Sequence, residues 1–196
     1  MLIAVAGSQG TGKSTLISSA TNTIGIPSIT RKTSRSILSD WGVTLSEVNN
    51  NRQLTIQFQE EILKRKIEDE RLAVESAAVW ITERTYADLF TYAVVAVGKD
   101  NEYSDWLDQY FEQCKAAQTT YSAIIYLPGG FFQPVNDGVR GINGHYSRMV
   151  DLMLEDYTMH RMSCESAIPP RKIHTANPDD RLNVIIETIK QVTHGE

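Results

Sequence analysis

Leu2-Ile3-Ala4-Val5-Ala6 runs directly into Gly7-Ser8-Gln9-Gly10-Thr11-Gly12-Lys13-Ser14, and a helical pattern begins at Thr15. The second stretch reads G-x-x-x-x-G-K-S, the phosphate-binding loop, between a buried strand and a helix as that motif requires. Glycines at 7, 10 and 12 open backbone angles closed to side-chain-bearing residues, so the chain can wrap a phosphate. Successive N–H groups then converge on the anion, and the helix N-terminus adds its partial positive charge. Lys13 is expected to reach the β- and γ-phosphates, and the Ser14 hydroxyl to ligate Mg²⁺. The stretch therefore predicts a nucleoside triphosphate site and, by itself, no particular reaction.

The rest of the chain alternates helices and strands around that opening. Leu16, Ile17, Ala20 and Ile24 recur at helical spacing, with Gly25 as C-cap. Pro27-Ser28-Ile29-Thr30 reads as a short second strand, followed by the cationic Arg31-Lys32-Thr33-Ser34-Arg35. Thr44-Leu45-Ser46-Glu47 fits a capping box and predicts one long helix to about Ala77, with Leu54, Phe58, Ile62 and Ile67 as its buried stripe. Glu60/Lys64 and Glu61/Arg65 are i,i+4 pairs on its outer face, and most of the charges there read as a solvated face. Ala77 to Thr82 is a third strand ending in Glu83-Arg84-Thr85, and Tyr86 to Val97 a helix stopped by Gly98. Trp106, Leu107, Tyr110, Phe111 and Cys114 mark another helix, and Ala123 to Leu127 a fourth strand. A glycine-rich connection from Phe131 to Gly144 contains Arg140, and a helix from His145 to about Glu165 carries Arg148 in its first turn. Arg171 to Thr175 is a weak fifth strand. Asn177 caps a last helix with Pro178 at its first position, buried through Leu182, Ile185, Ile186 and Ile189.

This alternation predicts an α/β fold: a five-stranded parallel sheet with helices on both faces, in one domain over 1–196, with a lid segment at about 129–150. Ligands in such sheets bind beyond the carboxyl ends of the strands, which gathers Gly7–Ser14, Arg31–Arg35, Glu83–Asp88 and the Arg140 region around one cleft.

Composition sets outer limits. The chain has 196 residues, 41% of them hydrophobic and 22% charged, as expected of a globular protein able to bury a core. A net charge of −5 argues against a broad nucleic-acid surface. Cys114 and Cys164 are distant, without C-x-x-C or histidine spacing, and read as reduced thiols of a cytoplasmic protein. The five-residue N-terminal apolar run is no signal peptide, and Tyr92 to Val97 is too short to span a bilayer, so no membrane partner is expected.

Phosphoryl transfer needs cations, Mg²⁺ and a means of holding the acceptor. Glu83, at the tip of a buried strand, can hold Mg²⁺ through water. Arg84 can reach the acceptor or the moving phosphoryl group, and Arg31 and Arg35 can bind an anionic acceptor. Arg140 and Arg148 can close over the phosphates and exclude water. The GTPase signatures D-x-x-G after a strand and N-K-x-D are missing, which favours a small-molecule kinase.

These motifs resemble the phage-type deoxynucleoside monophosphate kinases, a P-loop group similar to thymidylate kinases and nicotinamide riboside kinases. The resemblance covers most of the chain: Gly7–Ser14, Thr30-Arg31-Lys32, the helix Gln53–Glu61, Glu83-Arg84-Thr85 with Asp88 and Tyr92, and Asp137-Gly138-Val139-Arg140 before Arg148. Glu83-Arg84-Thr85 resembles both the D-R-Y of thymidylate kinases and the E-R-S of deoxyribonucleoside kinases. Thr30-Arg31 resembles the T-R of T-R-E-P. Phe58-Gln59 resembles a base-reading F-Q pair, and Phe58 reads equally well as core. Related proteins often carry an acid at the end of the second strand, where a hydroxyl kinase keeps its base. Here Pro27 to Lys32 contains none, and an anionic acceptor would need only cations.

The resemblance implies ATP- and Mg²⁺-dependent phosphorylation of a deoxynucleoside monophosphate, in host cytoplasm if phage-encoded. Lys13 and the loop amides from Gly7 to Thr15 would hold the ATP phosphates. Ser14 and Glu83 would organise Mg²⁺, and Asn177 to Arg181 would touch the adenine. Arg31, Arg35 and Arg84 would hold the acceptor phosphate, with Phe58, Gln59, Asp88 and Tyr92 among the substrate-binding residues. Tyr86 and Phe90 could line a base pocket or the core. Two alternatives stay open. One is a hydroxyl kinase acting on a nucleoside, nicotinamide riboside or a hydroxymethylated pyrimidine in phage DNA, with Glu83 or Asp88 as base. The other is a nucleotide-binding regulatory module. Either a monomer or a homodimer fits the sequence.

Overall fold

A computed structural model describes residues 1–30, 33–132, 143–162 and 168–194. Five parallel strands form one sheet in the order β2-β3-β1-β4-β5. They are β1 (Leu2–Ala6), β2 (Ser28–Ile29), β3 (Trp80–Glu83), β4 (Ala123–Tyr126) and β5 (Arg171–Lys172). The helices are α1 (Lys13–Ile24), α2 (Thr33–Trp41), α3 (Leu45–Asn50), α4 (Arg52–Glu75), α5 (Tyr86–Val97), α6 (Ser104–Gln118), α7 (Gly144–Asp156) and α8 (Pro178–His194).

Central β1 is buried along its whole length, and side-chain alternation divides its five residues between two cores. Leu2, Ala4 and Ala6 face a layer holding Phe58, Ile62 and Leu63 of α4 and Leu89 and Phe90 of α5. Ile3 and Val5 face Leu16 and Ile17 of α1 and Ile185 of α8. Register sets Val5 beside Glu83 on β3 and beside Ile125 on β4, so three strand ends meet at the glycine loop.

The expected long helix after Thr44 is two helices. Thr44 and Glu47 form the capping box, but Asn51 adopts an extended conformation (φ −124°, ψ 107°) and its side chain caps a new helix by accepting from the Leu54 N–H. An asparagine that competes for backbone donors favours such a break. Ile67 is 46% exposed rather than part of the buried stripe, whereas Lys66 and Glu70 are buried. Glu61 pairs with Arg65 at 2.7 Å, and Glu60 accepts from Trp106 Nε1. The third strand begins later than expected and includes Glu83. The fifth pairs with β4 through two residues only, at the sheet edge. Helix α7 ends at Asp156 and passes into a π-helical turn, Tyr157–Arg161, instead of continuing to Glu165.

Tyr86 and Phe90 are core residues. Phe90 packs edge-on against Phe111 and Tyr157, and Tyr86 stacks on Tyr121. Cys114 is free and buried, and burial pushes its thiol up to about 12. Cys164 lies outside the described residues. Among the described residues no helix is long and apolar enough to cross a membrane.

Candidate nucleotide-binding site

The loop between β1 and α1 is shaped by what a side chain would strike. At Gly7 (φ +150°) a Cβ would sit 2.6 Å from the Leu127 carbonyl oxygen. Gly12 is left-handed (φ +86°), and a Cβ there would meet Arg181 Nη1 at 3.2 Å and Phe132 Cε2 at 3.4 Å. Both positions leave the backbone of the loop bare, which is the cradle an anion needs. Within it, Lys13 is nearly buried and its ammonium donates to the Gly7 and Ser8 carbonyls at 2.8 and 2.7 Å. Thr11 Oγ1 donates to the Ser8 carbonyl at 3.0 Å. Gly10, Ser14 and Thr15 are exposed at the mouth of the loop.

Two buried charges hold the loop from outside, and neither anchoring contact was legible in the sequence. Arg181, in the first turn of α8, donates through Nη1 to the Thr11 carbonyl and through Nε to the Thr175 carbonyl, both at 2.7 Å. Phe131 and Phe132 lie against its guanidinium, and burial lowers its pKa. Asn177, expected beside it, caps α8 by accepting from the N–H groups of Asp179 and Asp180. Asp151, on α7, is 2% exposed. Its carboxylate accepts from Ser8 Oγ at 3.0 Å, from the Tyr126 hydroxyl at 3.0 Å and from the Gly129 N–H at 2.9 Å. No local motif announces this aspartate, because its partners come from positions far back in the chain.

Opposite the loop, β3 delivers Glu83. Ser14 Oγ donates to its carboxylate oxygens at 3.0 and 3.1 Å. Arg84 follows with φ 71°, the one non-glycine residue of positive φ among the described residues. Its N–H donates to the Val5 carbonyl at 2.9 Å. Its guanidinium approaches Asp88 Oδ1 at 3.3 Å and lies over the Tyr92 ring. Burial opposes the Arg84 charge, but Tyr92, Asp88 and Glu83 outweigh it and raise its pKa. Asp88 is fully buried and also closes a capping box with Thr85 at the start of α5.

The remaining expected site residues fall into three groups. Arg148 is exposed on α7, 3.5 Å from Asp151 Oδ2. Arg35 is exposed in the first turn of α2. Phe58 is core, edge-on to Trp41, and Gln59 is buried with its backbone carbonyl accepting from Tyr110. Arg31 and Arg140 lie outside the described residues. A hydroxyl and a carboxylate, Ser14 and Glu83, are hard oxygen donors of the kind Mg²⁺ takes alongside water and phosphate oxygens. Among the described residues no cluster of three or more His, Cys, Asp or Glu could hold a metal by itself.

Comparison with known proteins agrees with this architecture. No curated protein sequence matches the chain. A deoxyadenosine kinase from M. mycoides, solved with bound dATP, superposes with a TM-score of 0.72 at 14% identity, covering 97% of this chain and 100% of that one. The NadR protein in complex with NR superposes with a TM-score of 0.70 at 13% identity over 98% of this chain, which spans 51% of that protein's length. The fold is therefore that of the P-loop kinases. A family model described as an AAA domain matches residues 2–169, from the first strand through the loop to the far side of α7. The chain belongs to this AAA domain family of P-loop proteins.

Proposed function

We propose that this protein is a phosphotransferase of the phage-type nucleotide kinase kind, moving the γ-phosphoryl group of ATP to a deoxynucleoside monophosphate. The observation that carries the reading is the meeting of Ser14 and Glu83 at 3.0 Å, with Lys13 on the loop behind and Arg84 on the next residue. Lys13 and the loop amides would hold the donor phosphates. Ser14 and Glu83 would hold Mg²⁺, which supplies charge neutralisation across the β- and γ-oxygens when bound. Arg84, its guanidinium steadied by Asp88 and Tyr92, would receive the acceptor phosphate, with Arg31 and Arg35 as further cations. Arg181 and Asn177 would lie towards the adenine. Residues 129–150 would act as a lid that brings Arg140 and Arg148 over the transferred group, all within one domain.

The stretch Pro27 to Lys32 offers cations and no carboxylate, which suits an acceptor that is already an anion. A second reading has support from the fold neighbours, a deoxyadenosine kinase and a protein bound to NR. In it the acceptor is a nucleoside hydroxyl and Glu83 or Asp88 is the base. ADP release with Mg-ATP, measured against deoxynucleoside monophosphates, free nucleosides and DNA, separates the readings. Turnover with one monophosphate, lowered about a hundredfold or more in Lys13→Ala, is the expected result. Turnover confined to a nucleoside or to DNA would sink the monophosphate reading. Lys13→Ala within tenfold of wild type would sink the mechanism.

A further inference from the structure

Beneath the Glu83–Arg84 turn lies a charged cluster with no part in the site as described so far. Glu70 is 1% exposed and Lys66 8%, both on α4, and their side chains meet at 2.7 Å. The Glu70 carboxylate also accepts from Thr82 Oγ1 at 2.7 Å, from the Tyr86 hydroxyl at 2.8 Å and from the Tyr121 hydroxyl at 3.2 Å. One carboxylate thus ties α4 to the end of β3, the start of α5 and the approach to β4. Lys66 Nζ donates at 3.3 Å to the backbone carbonyl of Glu83. The N–H of that same peptide unit, on Arg84, donates to the Val5 carbonyl at 2.9 Å. The peptide is therefore held from both sides, by the phosphate-loop strand and by a buried ammonium.

This grip falls at the peptide that leads into the left-handed residue Arg84. A non-glycine residue in that region costs on the order of 1 kcal/mol or more and persists only where its surroundings over-determine it. Desolvating an ion pair is a poor way to gain stability, since an apolar replacement of equal volume is often as good. A buried pair whose cation reaches one specific carbonyl can instead fix a conformation.

We propose that Lys66 and Glu70 are positioning residues: they lock the Glu83–Arg84 peptide so that the Glu83 carboxylate faces Ser14 while the Arg84 side chain turns to Asp88. The inference rests on the functional reading above, in which Ser14 and Glu83 hold the metal of Mg-nucleotide. Loss of the lock lets the peptide rotate and Glu83 leave Ser14, while the phosphate loop keeps its own anchors at Asp151 and Arg181.

The test is calorimetric titration of ADP into wild type, Lys66→Met and Lys66→Met/Glu70→Gln, each with Mg²⁺ and with EDTA. The double variant removes both formal charges and serves where the single variant does not fold. In wild type, Mg²⁺ is expected to tighten ADP binding. In the variants that Mg²⁺ enhancement is expected to fall about tenfold, the low end for partners that orient a metal ligand. Affinity in EDTA is expected to stay within twofold, because the loop is untouched. Equal weakening with and without Mg²⁺, or an enhancement within twofold of wild type, would overturn the positioning role. Wild type that binds ADP no better with Mg²⁺ than without would instead overturn the functional reading beneath it.

Discussion

Asp151→Ala is expected to destabilise the protein by about 3 kcal/mol, although the residue lies on a helix far in sequence from the loop it supports. The carboxylate is 2% exposed and receives Ser8 Oγ, the Gly129 N–H and the Tyr126 hydroxyl at 2.9 to 3.0 Å. Tyr126 keeps a partner in the variant, because its hydroxyl also reaches the backbone carbonyl of residue 151 at 3.0 Å. Ser8 and Gly129 do not: a buried donor such as the Ser8 hydroxyl left without an acceptor costs about 1–3 kcal/mol, and the half-buried Gly129 N–H costs less because water can reach it. Together the two losses come to about 2–4 kcal/mol, offset in part because the buried charge disappears with them. Asp151→Asn keeps an acceptor oxygen and gives up only the charge, so a loss of about 1 kcal/mol is expected. Urea unfolding gives the answer: with a slope of about 2 kcal/mol/M, the alanine variant should shift its midpoint down by about 1.5 M at unchanged slope, and the asparagine variant by about 0.5 M. An alanine midpoint within 0.2 M of wild type would show that the three contacts carry no net stability, and would refute the view of Asp151 as the anchor that ties α7 to the phosphate loop.

Other outcomes follow from the same contacts. Gly7→Ala would force a Cβ to 2.6 Å from the Leu127 carbonyl in a backbone region unsuited to alanine, so nucleotide affinity should fall at least tenfold in a titration while α1 is retained by circular dichroism. Asn51→Ala removes the side-chain acceptor that starts α4 and should cost about 1 kcal/mol in the same urea assay. Burial raises the pKa of Tyr86, Tyr121 and Tyr126 and pushes the Cys114 thiol to about 12. Their folded-state values lie above the unfolded ones, so their contribution is fully present below about pH 8.5, the ordinary thiol value. It is lost as pH rises through the folded values, and midpoints should fall steadily from pH 9 to 11. Below pH 9, native Cys114 should resist iodoacetamide that alkylates it readily in urea.

Local readings held where the determinant was local. The apolar run and glycine loop, the Thr44–Glu47 box, the Gly25 cap and the Asn177-Pro178 helix start each depend on neighbours within about four residues, and each stands in the structure. The single helix to Ala77 failed for a local reason too, since Asn51 inside a helical pattern is also a cap. Lys66 and Glu70 escaped for a different reason. An i,i+4 pair of opposite charge has the same spacing on a wet face as in a core, so periodicity could not separate them from Glu61 and Arg65.

By itself, then, the sequence determined the strand–loop–helix of the phosphate-loop motif, the alternation that makes a parallel sheet, and the gathering of Ser14, Glu83 and Arg84 at the carboxyl ends of the strands. Those follow from backbone angles, capping and the rule that ligands gather at the carboxyl ends of parallel strands. Only the tertiary structure decided which charges are buried and what they hold: Asp151 and Arg181 on the phosphate loop, and Lys66 with Glu70 beneath the Glu83–Arg84 peptide. Their partners are brought together by sheet order and helix packing, across separations of 12 residues for the bond Thr82 donates to Glu70 and 170 for the bond Arg181 donates to Thr11. A charge at a given position carries no local mark of whether water or another chain segment will solvate it. That is settled only when the layers close.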